Sequence, residues 1–395
     1  PKVLIQIGIC AINFTYNCMK KIILILLALL FTSNVNANHW VGNGTKNFDL
    51  RANCSKTKSI LKAMPDVIPG GELIRLNSFT AFDQRFVMNG AYKNNPVEIT
   101  GYLILPKGSD KVPIVIHSHG SGGPESFVYG HWVKDLTKNL LDLGIGTMML
   151  DNFCSRGTMN TYRDQSKAPA IVATIDTMMA FKFLKSHPRS NGKLGFTGHS
   201  RGGLNGLLSA ETKITSVFLN NKEGFDAVLA EAAECRMSAL FLEPELTTNT
   251  KLLYVHGSAD DWTLAKPCEE FVKSIKAEKG QIEIDIKDGW YHDWHSGQKP
   301  KKHKRAMTLH RCPEIRMDND GNYNQEIIDL VLGHKIFASL EEVFKASAED
   351  PSGTFKKMFK AFKKEKCLDK GVTIGGKHAE EYMPQALNFF KENLL

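Results

Sequence analysis

Three observations predict an α/β fold with a mostly parallel central sheet flanked by helices. Short apolar runs recur along the chain, helix-period stretches lie between them, and the inner runs are apolar without alternation. That last feature marks strands covered on both faces. The runs are Val97–Leu105, Val112–His117, Thr147–Asp151, Leu194–Thr197, Ala227–Glu231, Leu252–His256 and Ile282–Ile286. Between them, Ala168–Ser186 sets Ile171, Ile175, Met178 and Phe181 on one helical face. His187-Pro188 ends it, because a residue before proline disfavours the helical region. Met383, Ala386, Leu387, Phe390 and Leu394 form a second stripe, which predicts a closing helix. From Trp294 to about Gly376 the alternation fails. This stretch reads as an insertion, about residues 297–376, basic at first and then helical around Glu326–Phe344 and Thr354–Lys364. It is expected to lie over the active-site end of the sheet. No internal repeat or low-complexity tract interrupts the pattern.

The segment before the first run, residues 38–95, is a polar lead-in without strong periodicity, so the α/β domain is expected to occupy 96–395. Further upstream, Met19-Lys20-Lys21, the apolar run Ile22–Phe31 and Val35-Asn36-Ala37 make the three parts of a secretory signal peptide. The expected peptide is Met19–Ala37 with cleavage after Ala37, and residues 1–18 lie upstream of that start. The apolar run is about half of the ~20 residues that span a bilayer, which disfavours a membrane anchor. No later segment is apolar enough to span one. The chain is therefore expected in the periplasm or secreted.

The net charge of +8 is concentrated in part at Lys299, Lys301, Lys302, Lys304 and Arg305. Such a run reads first as a solvated loop and second as a contact for an anionic surface or substrate. Nothing resembles a nucleic-acid-binding module. Cys54, Cys154, Cys235, Cys268, Cys312 and Cys367 remain after the expected cleavage, an even set that fits disulfides in an exported protein. No C-x-x-C pair is present, which argues against zinc ribbons and thioredoxin-type chemistry.

The strongest motif is Gly198-His199-Ser200-Arg201-Gly202, followed at once by Gly203. A strand-like Leu194–Thr197 precedes it and a helix-like Leu204–Ala210 follows. A serine on such a strand-to-helix turn has its hydroxyl exposed at the helix N-terminus, and the glycines relieve clashes on a tight bend. The Arg201 N–H can there stabilise an oxyanion. A serine needs a base to take its proton, and in this architecture an acid and a histidine follow the serine in that order. The run Leu252–Gly257 leads to Asp260-Asp261, either of which can orient a base. The loop after Ile282–Ile286 offers His292 and His295 for the base itself. The second oxyanion donor is expected in the glycine-rich loop after Val112–His117, with Ser121 first and Gly122 next. His117-x-His119 has ligand spacing, but glycines follow it where further metal ligands would be needed. Asp318-Asn319-Asp320-Gly321 hints at a calcium loop, yet the register puts Arg316 and Ile327 where acids belong. No metal and no cofactor is expected.

Together these segments resemble the dienelactone hydrolase family of α/β hydrolases, over roughly Val97 to Trp294 plus the closing helix from His378. His119-Gly120-Ser121-Gly122-Gly123 is similar to its oxyanion segment. Asp151-Asn152-Phe153 with Arg156-Gly157 is similar to its D-x-F…RG stretch. Gly257 to Thr263 is similar to its acid segment and Tyr291-His292-Asp293-Trp294 to its base segment. The resemblance implies the α/β-hydrolase fold and a triad of Ser200, Asp260 and His292. It implies cleavage of small-molecule carboxylic esters through an acyl-enzyme. A peptidase or acyltransferase on the same fold is the alternative within enzymes, and a catalytically silent periplasmic binding protein the alternative outside them. Ser200 stands where the hydrolases that named the family carry cysteine, and the long insertion is a further departure. The resemblance also implies that Cys235 and Cys268 lie together. By position in the insertion Cys312 pairs with Cys367, which leaves Cys54 with Cys154.

Overall fold

The structure, a computed structural model, describes residues 49–219 and 222–395. The expected signal peptide lies outside the described residues. An eight-stranded sheet forms the centre. Its strands are β1 (Glu72–Phe79), β2 (Pro96–Ile104), β3 (Val112–Ser118), β4 (Gly146–Asp151), β5 (Ser190–His199), β6 (Ala227–Glu231), β7 (Lys251–Gly257) and β8 (Ile282–Lys287). Their order across the sheet is β1-β2-β4-β3-β5-β6-β7-β8. β2 runs antiparallel to both neighbours, and every other pair in the sheet is parallel. This is the α/β-hydrolase arrangement that the sequence predicts.

The longer helices are α1 (His131–Asp142), α2 (Ile171–Lys185), α3 (Arg201–Ser209), α4 (Thr212–Leu219), α5 (Ala265–Ser274), α6 (Gln325–Gly333), α7 (Leu340–Glu349), α8 (Pro351–Lys364) and α9 (Ala379–Leu394). Alternate residues of the central strands serve opposite faces. Ile114, Ile116, Phe196, Val228 and Tyr254 join α2, α3 and the insertion helices in one core. Val115, Leu229, Leu253 and Val255 join α1 and α9 in another. Because both faces are covered, the inner strands read as unbroken apolar runs.

Three elements differ from the sequence reading. β1 lies in the polar lead-in; it is an edge strand, mostly exposed over its first half, so it carries little apolar periodicity. The single helix expected over Glu326–Phe344 is two helices. Ser339 caps α7 by accepting the Glu342 N–H at 3.2 Å, and the Glu342 carboxylate accepts the Ala338 N–H at 2.6 Å. These two side-chain caps set a helix start where an unbroken helix is expected. Finally, the basic stretch is no loop. It is β9 (Gln298–Thr308), which pairs antiparallel with β10 (Asp369–Gly376) in a separate ribbon. Lysine-rich sequence has little strand preference of its own, so the pairing comes from tertiary context.

Disulfides join Cys54 to Cys154, Cys235 to Cys268 and Cys312 to Cys367. These are the pairs expected from the resemblance and from position. Among the described residues no helix is long and apolar enough to cross a membrane.

Candidate active site

β5 ends at His199 and α3 begins at Arg201, so Ser200 alone makes the bend, with φ 62° and ψ −118°. A non-glycine residue in that region costs about 1–3 kcal/mol and persists only where its surroundings fix it. Here the Ser200 N–H donates to the Glu231 carbonyl at 2.8 Å, and its own carbonyl accepts the Leu204 N–H at 3.0 Å. The bend also forces α3 against β3. A Cβ at Gly202 would stand 2.4 Å from the Ser118 carbonyl oxygen, which excludes any larger residue there.

The acid and base come from the loops after β7 and β8. Asp260 Oδ1 accepts the N–H groups of Trp262 (2.8 Å) and Thr263 (3.0 Å). Its Oδ2 lies 2.6 Å from His292 Nδ1. The Thr263 hydroxyl lies 3.0 Å from that oxygen, 3.0 Å from the Ala232 carbonyl and 3.1 Å from His292 Nδ1. His256 Nε2 is 3.2 Å from Oδ2 but off the hydrogen-bond direction. Burial alone would raise the Asp260 carboxyl; the adjacent His292 outweighs it, and the carboxyl is held well below the usual range. Burial likewise opposes charge on His292, but the Asp260 carboxylate prevails and raises the imidazole above its ordinary value. With Nδ1 donating to Asp260, Nε2 is left as the basic nitrogen, a tautomer assigned from the hydrogen-bond network.

The competing residues are engaged elsewhere. Asp261 accepts the backbone N–H and hydroxyl of Thr373 and lies 3.7 Å from Lys302. His295 is buried against Trp132 and His199, and burial pushes its imidazole down to about 3. The structure thus joins Asp260 to His292 and leaves Asp261 and His295 apart from that pair. The ring of His199, next to Ser200, packs 4.5 Å from the His292 ring, which sets the imidazole beside the serine turn. Among the described residues Ser200 makes no hydrogen bond to His292 in this unliganded arrangement. Such contacts tighten when substrate binds.

The start of α3 and the glycine-rich loop after β3 border the serine. The Arg201 N–H is the first of α3 and has no partner within the helix. On the facing loop, a Cβ built on Gly120 would stand 3.2 Å from Ser200 Cβ, so the loop that carries Ser121 runs beside the serine. Gly122 follows Ser121 in the same turn, where the Gly123 N–H donates to the Gly120 carbonyl at 3.0 Å. Gln165, which the sequence did not single out, ties the two segments together. Its amide donates to the Ser121 hydroxyl at 3.0 Å, and its oxygen accepts from the Arg201 guanidinium at 2.9 Å. That guanidinium also donates to the Ala168 and Pro169 carbonyls. It is 2% exposed, and burial pulls it down to about 9.

The His119 imidazole bends the same loop. Its Nε2 accepts the Asn152 N–H at 3.2 Å and its Nδ1 lies 2.9 Å from the Gly120 carbonyl, so it acts as a brace. Beneath it, Asp151 Oδ1 accepts the N–H groups of Phe153 and Cys154. Arg156 makes a two-pronged pair with Asp176 at 2.7 and 2.8 Å, which explains the Asp151…Arg156 stretch as scaffolding. Asp176 and His256 carry no motif signal of their own. Among the described residues, His199, His292 and Asp293 offer three ligand atoms within 4.8 Å of one another. Because Asp260 engages His292 Nδ1, an ion there would have to use the basic Nε2.

No family model matches the chain, and no curated protein matches it. Among solved structures the chain is similar to Est1E from Butyrivibrio proteoclasticus, at 15% identity over 49% of this chain and 86% of that one, with a TM-score of 0.35. A dienelactone hydrolase from Anabaena variabilis matches at 18% identity over 50% and 82%, with a TM-score of 0.34. A lidless α/β serine hydrolase from Xanthomonas campestris matches at 14% identity over 56% and 86%, with a TM-score of 0.37.

Proposed function

We propose that the chain is an exported serine hydrolase that cleaves carboxylic esters of small molecules, with Ser200, His292 and Asp260 as its triad. The observation that carries this reading is the 2.6 Å contact of Asp260 Oδ2 with His292 Nδ1. It lies at the same carboxyl end of the sheet as a serine held at φ 62°. Strain of that kind on a serine, beside a polarised imidazole, has a use in acyl transfer. His292 Nε2 takes the Ser200 proton as Oγ attacks the ester carbonyl. The resulting oxyanion is held by the N–H groups of Arg201 and Ser121, with Gly122 the alternative second donor. The imidazolium then gives its proton to the departing alkoxide, which leaves as the alcohol. Water, deprotonated by the same imidazole, cleaves the acyl-enzyme. Asp260 keeps the ring oriented and stabilises its charge. The catalytic domain in this reading occupies 96–395 around the insertion at 297–376, and the lead-in at 38–95 adds the edge strand β1 to its sheet. Three disulfides fit an oxidising compartment.

The test is hydrolysis of p-nitrophenyl esters from acetate to octanoate by the chain from Asn38, beside Ser200→Ala. Activity that falls about 10⁴-fold or more in the variant, with labelling of Ser200 by a fluorophosphonate, is the expected result. An inert parent that does not label would sink the triad and favour a binding protein. An acyl chain passed to an added alcohol or amine instead of water would identify an acyltransferase.

A further inference from the structure

The ribbon of β9 and β10 combines a buried apolar patch with an exposed cationic surface. Its inner side buries Ala306, Val372 and Ile374 against Trp262, whose ring packs 4.8 Å from that of His292. Ile374 forms a bridge with His292 itself, and the Trp262 indole donates to the Met307 carbonyl at 2.9 Å. Its exposed positions carry Lys299, Lys301, Lys302, Lys304, Arg305 and Lys370, against a single acid, Asp369. Among the described residues only Lys302 of these six cations is ion-paired, at 3.7 Å from Asp261, and Asp369 is taken by Arg311. Across the ribbon Lys301 faces Ile374 and Lys302 faces Thr373, so no cross-strand acid neutralises them. A disulfide, Cys312–Cys367, closes the base of the ribbon and holds the charges in one place. Unneutralised like charge on a rigid support repels itself and creates a field that draws anions toward it.

We infer that the exposed cationic side chains of this ribbon bind a carboxylated polysaccharide and that the esters cleaved beside it are substituents on that polymer. The inference rests on the ester-hydrolase reading of the site. From Lys299 to Arg305 the array extends about 20 Å along the strand, the scale of several repeats of a linear polyanion rather than one small acid. The exposed large apolar side chains among the described residues, Leu73, Leu242, Leu264 and Leu395, all lie off the ribbon, so it has no anchor for a lipid surface. A polysaccharide also bears the hydroxyl and carboxyl groups on which esters are carried.

The experiment is binding of de-esterified polygalacturonate to the intact chain, with neutral dextran, anionic phosphatidylglycerol vesicles and single-stranded DNA alongside. The variants are Lys301→Gln/Lys304→Gln/Arg305→Gln and, as a charge-matched control, Lys360→Gln/Lys363→Gln/Lys364→Gln on α8. Thermal melting checks that each remains folded. The expected result is binding to polygalacturonate and not to dextran, weakened about tenfold or more between about 20 and 200 mM NaCl. The ribbon variant loses roughly tenfold in affinity and the control keeps it. No binding, or equal loss in both variants, overturns the ribbon as the site. Tighter binding to vesicles or DNA overturns the polysaccharide as its occupant. Because the probe carries no ester, these outcomes are independent of the p-nitrophenyl assay, which tests the hydrolase reading alone.

Discussion

His292 must be neutral at Nε2 to accept the serine proton, so its ionisation sets the acid limb of the rate. The Asp260 carboxylate raises the imidazole above 6.5 despite burial. The acid limb of kcat/KM is therefore expected to have its midpoint above 6.5, with activity rising as pH increases through it. Asp260→Asn removes the charge that raises it. A pH profile of that variant should shift the limb to lower pH while kcat falls about 10⁴-fold, as the wrong tautomer is then favoured. A limb that does not move would separate the two residues functionally. Gln165→Ala tests the oxyanion segments. It leaves the buried Arg201 guanidinium one acceptor short and frees the Ser121 loop. Steady-state kinetics should show kcat reduced roughly tenfold with KM little changed, since the donors act mainly in the transition state.

At the scale of elements, much of the site was legible because its chemistry demands unusual backbone. Only glycine fits at Gly202, 2.4 Å from a carbonyl oxygen once a Cβ is added, so the serine turn announces itself in sequence. Asp260 and His292 were narrowed by motif, but what separates them from Asp261 and His295 is tertiary. Thr373 and Lys302 claim one, and an aromatic pocket claims the other. Both Asp261 partners lie in the insertion, on strands whose residues have no strand-like pattern. β1 escaped for a related reason, since an exposed edge need not alternate. Asp176 is the clearest silent residue. It is a single acid within an apolar helix, fully buried, and it holds Arg156, Ser78 and Asn152 together. Asp176→Ala should cost about 3–5 kcal/mol in urea unfolding, because it strands a buried guanidinium. A loss below about 1 kcal/mol would show that water reaches Arg156 instead.

Across the whole molecule, the insertion is fastened to the hydrolase body at separate points. The ribbon meets the catalytic loops through Trp262 and Ile374, and the helices share a core with Phe82, Met237 and the start of α2. The Cys312–Cys367 bond spans 55 residues of this insertion, so chain-entropy reasoning assigns it about 4 kcal/mol as an upper figure. Cys312→Ala/Cys367→Ala is expected to lower unfolding free energy by roughly 2–4 kcal/mol and to reduce ester turnover, because Trp262 loses its backing. Retained turnover at reduced stability would mean that the catalytic loops stand without the ribbon.

The same ribbon has a consequence for resistance to proteolysis. Between Lys299 and Arg305 a trypsin-like protease would find four cut sites, after Lys301, Lys302, Lys304 and Arg305, because Pro300 shields Lys299. Such enzymes need a segment they can peel free and thread through a narrow cleft. Pairing with β10 occupies one edge of the backbone, and the nearby disulfide denies the slack to lift it away. A reductant would remove that protection, and this cationic stretch would become the place where the molecule is first cut.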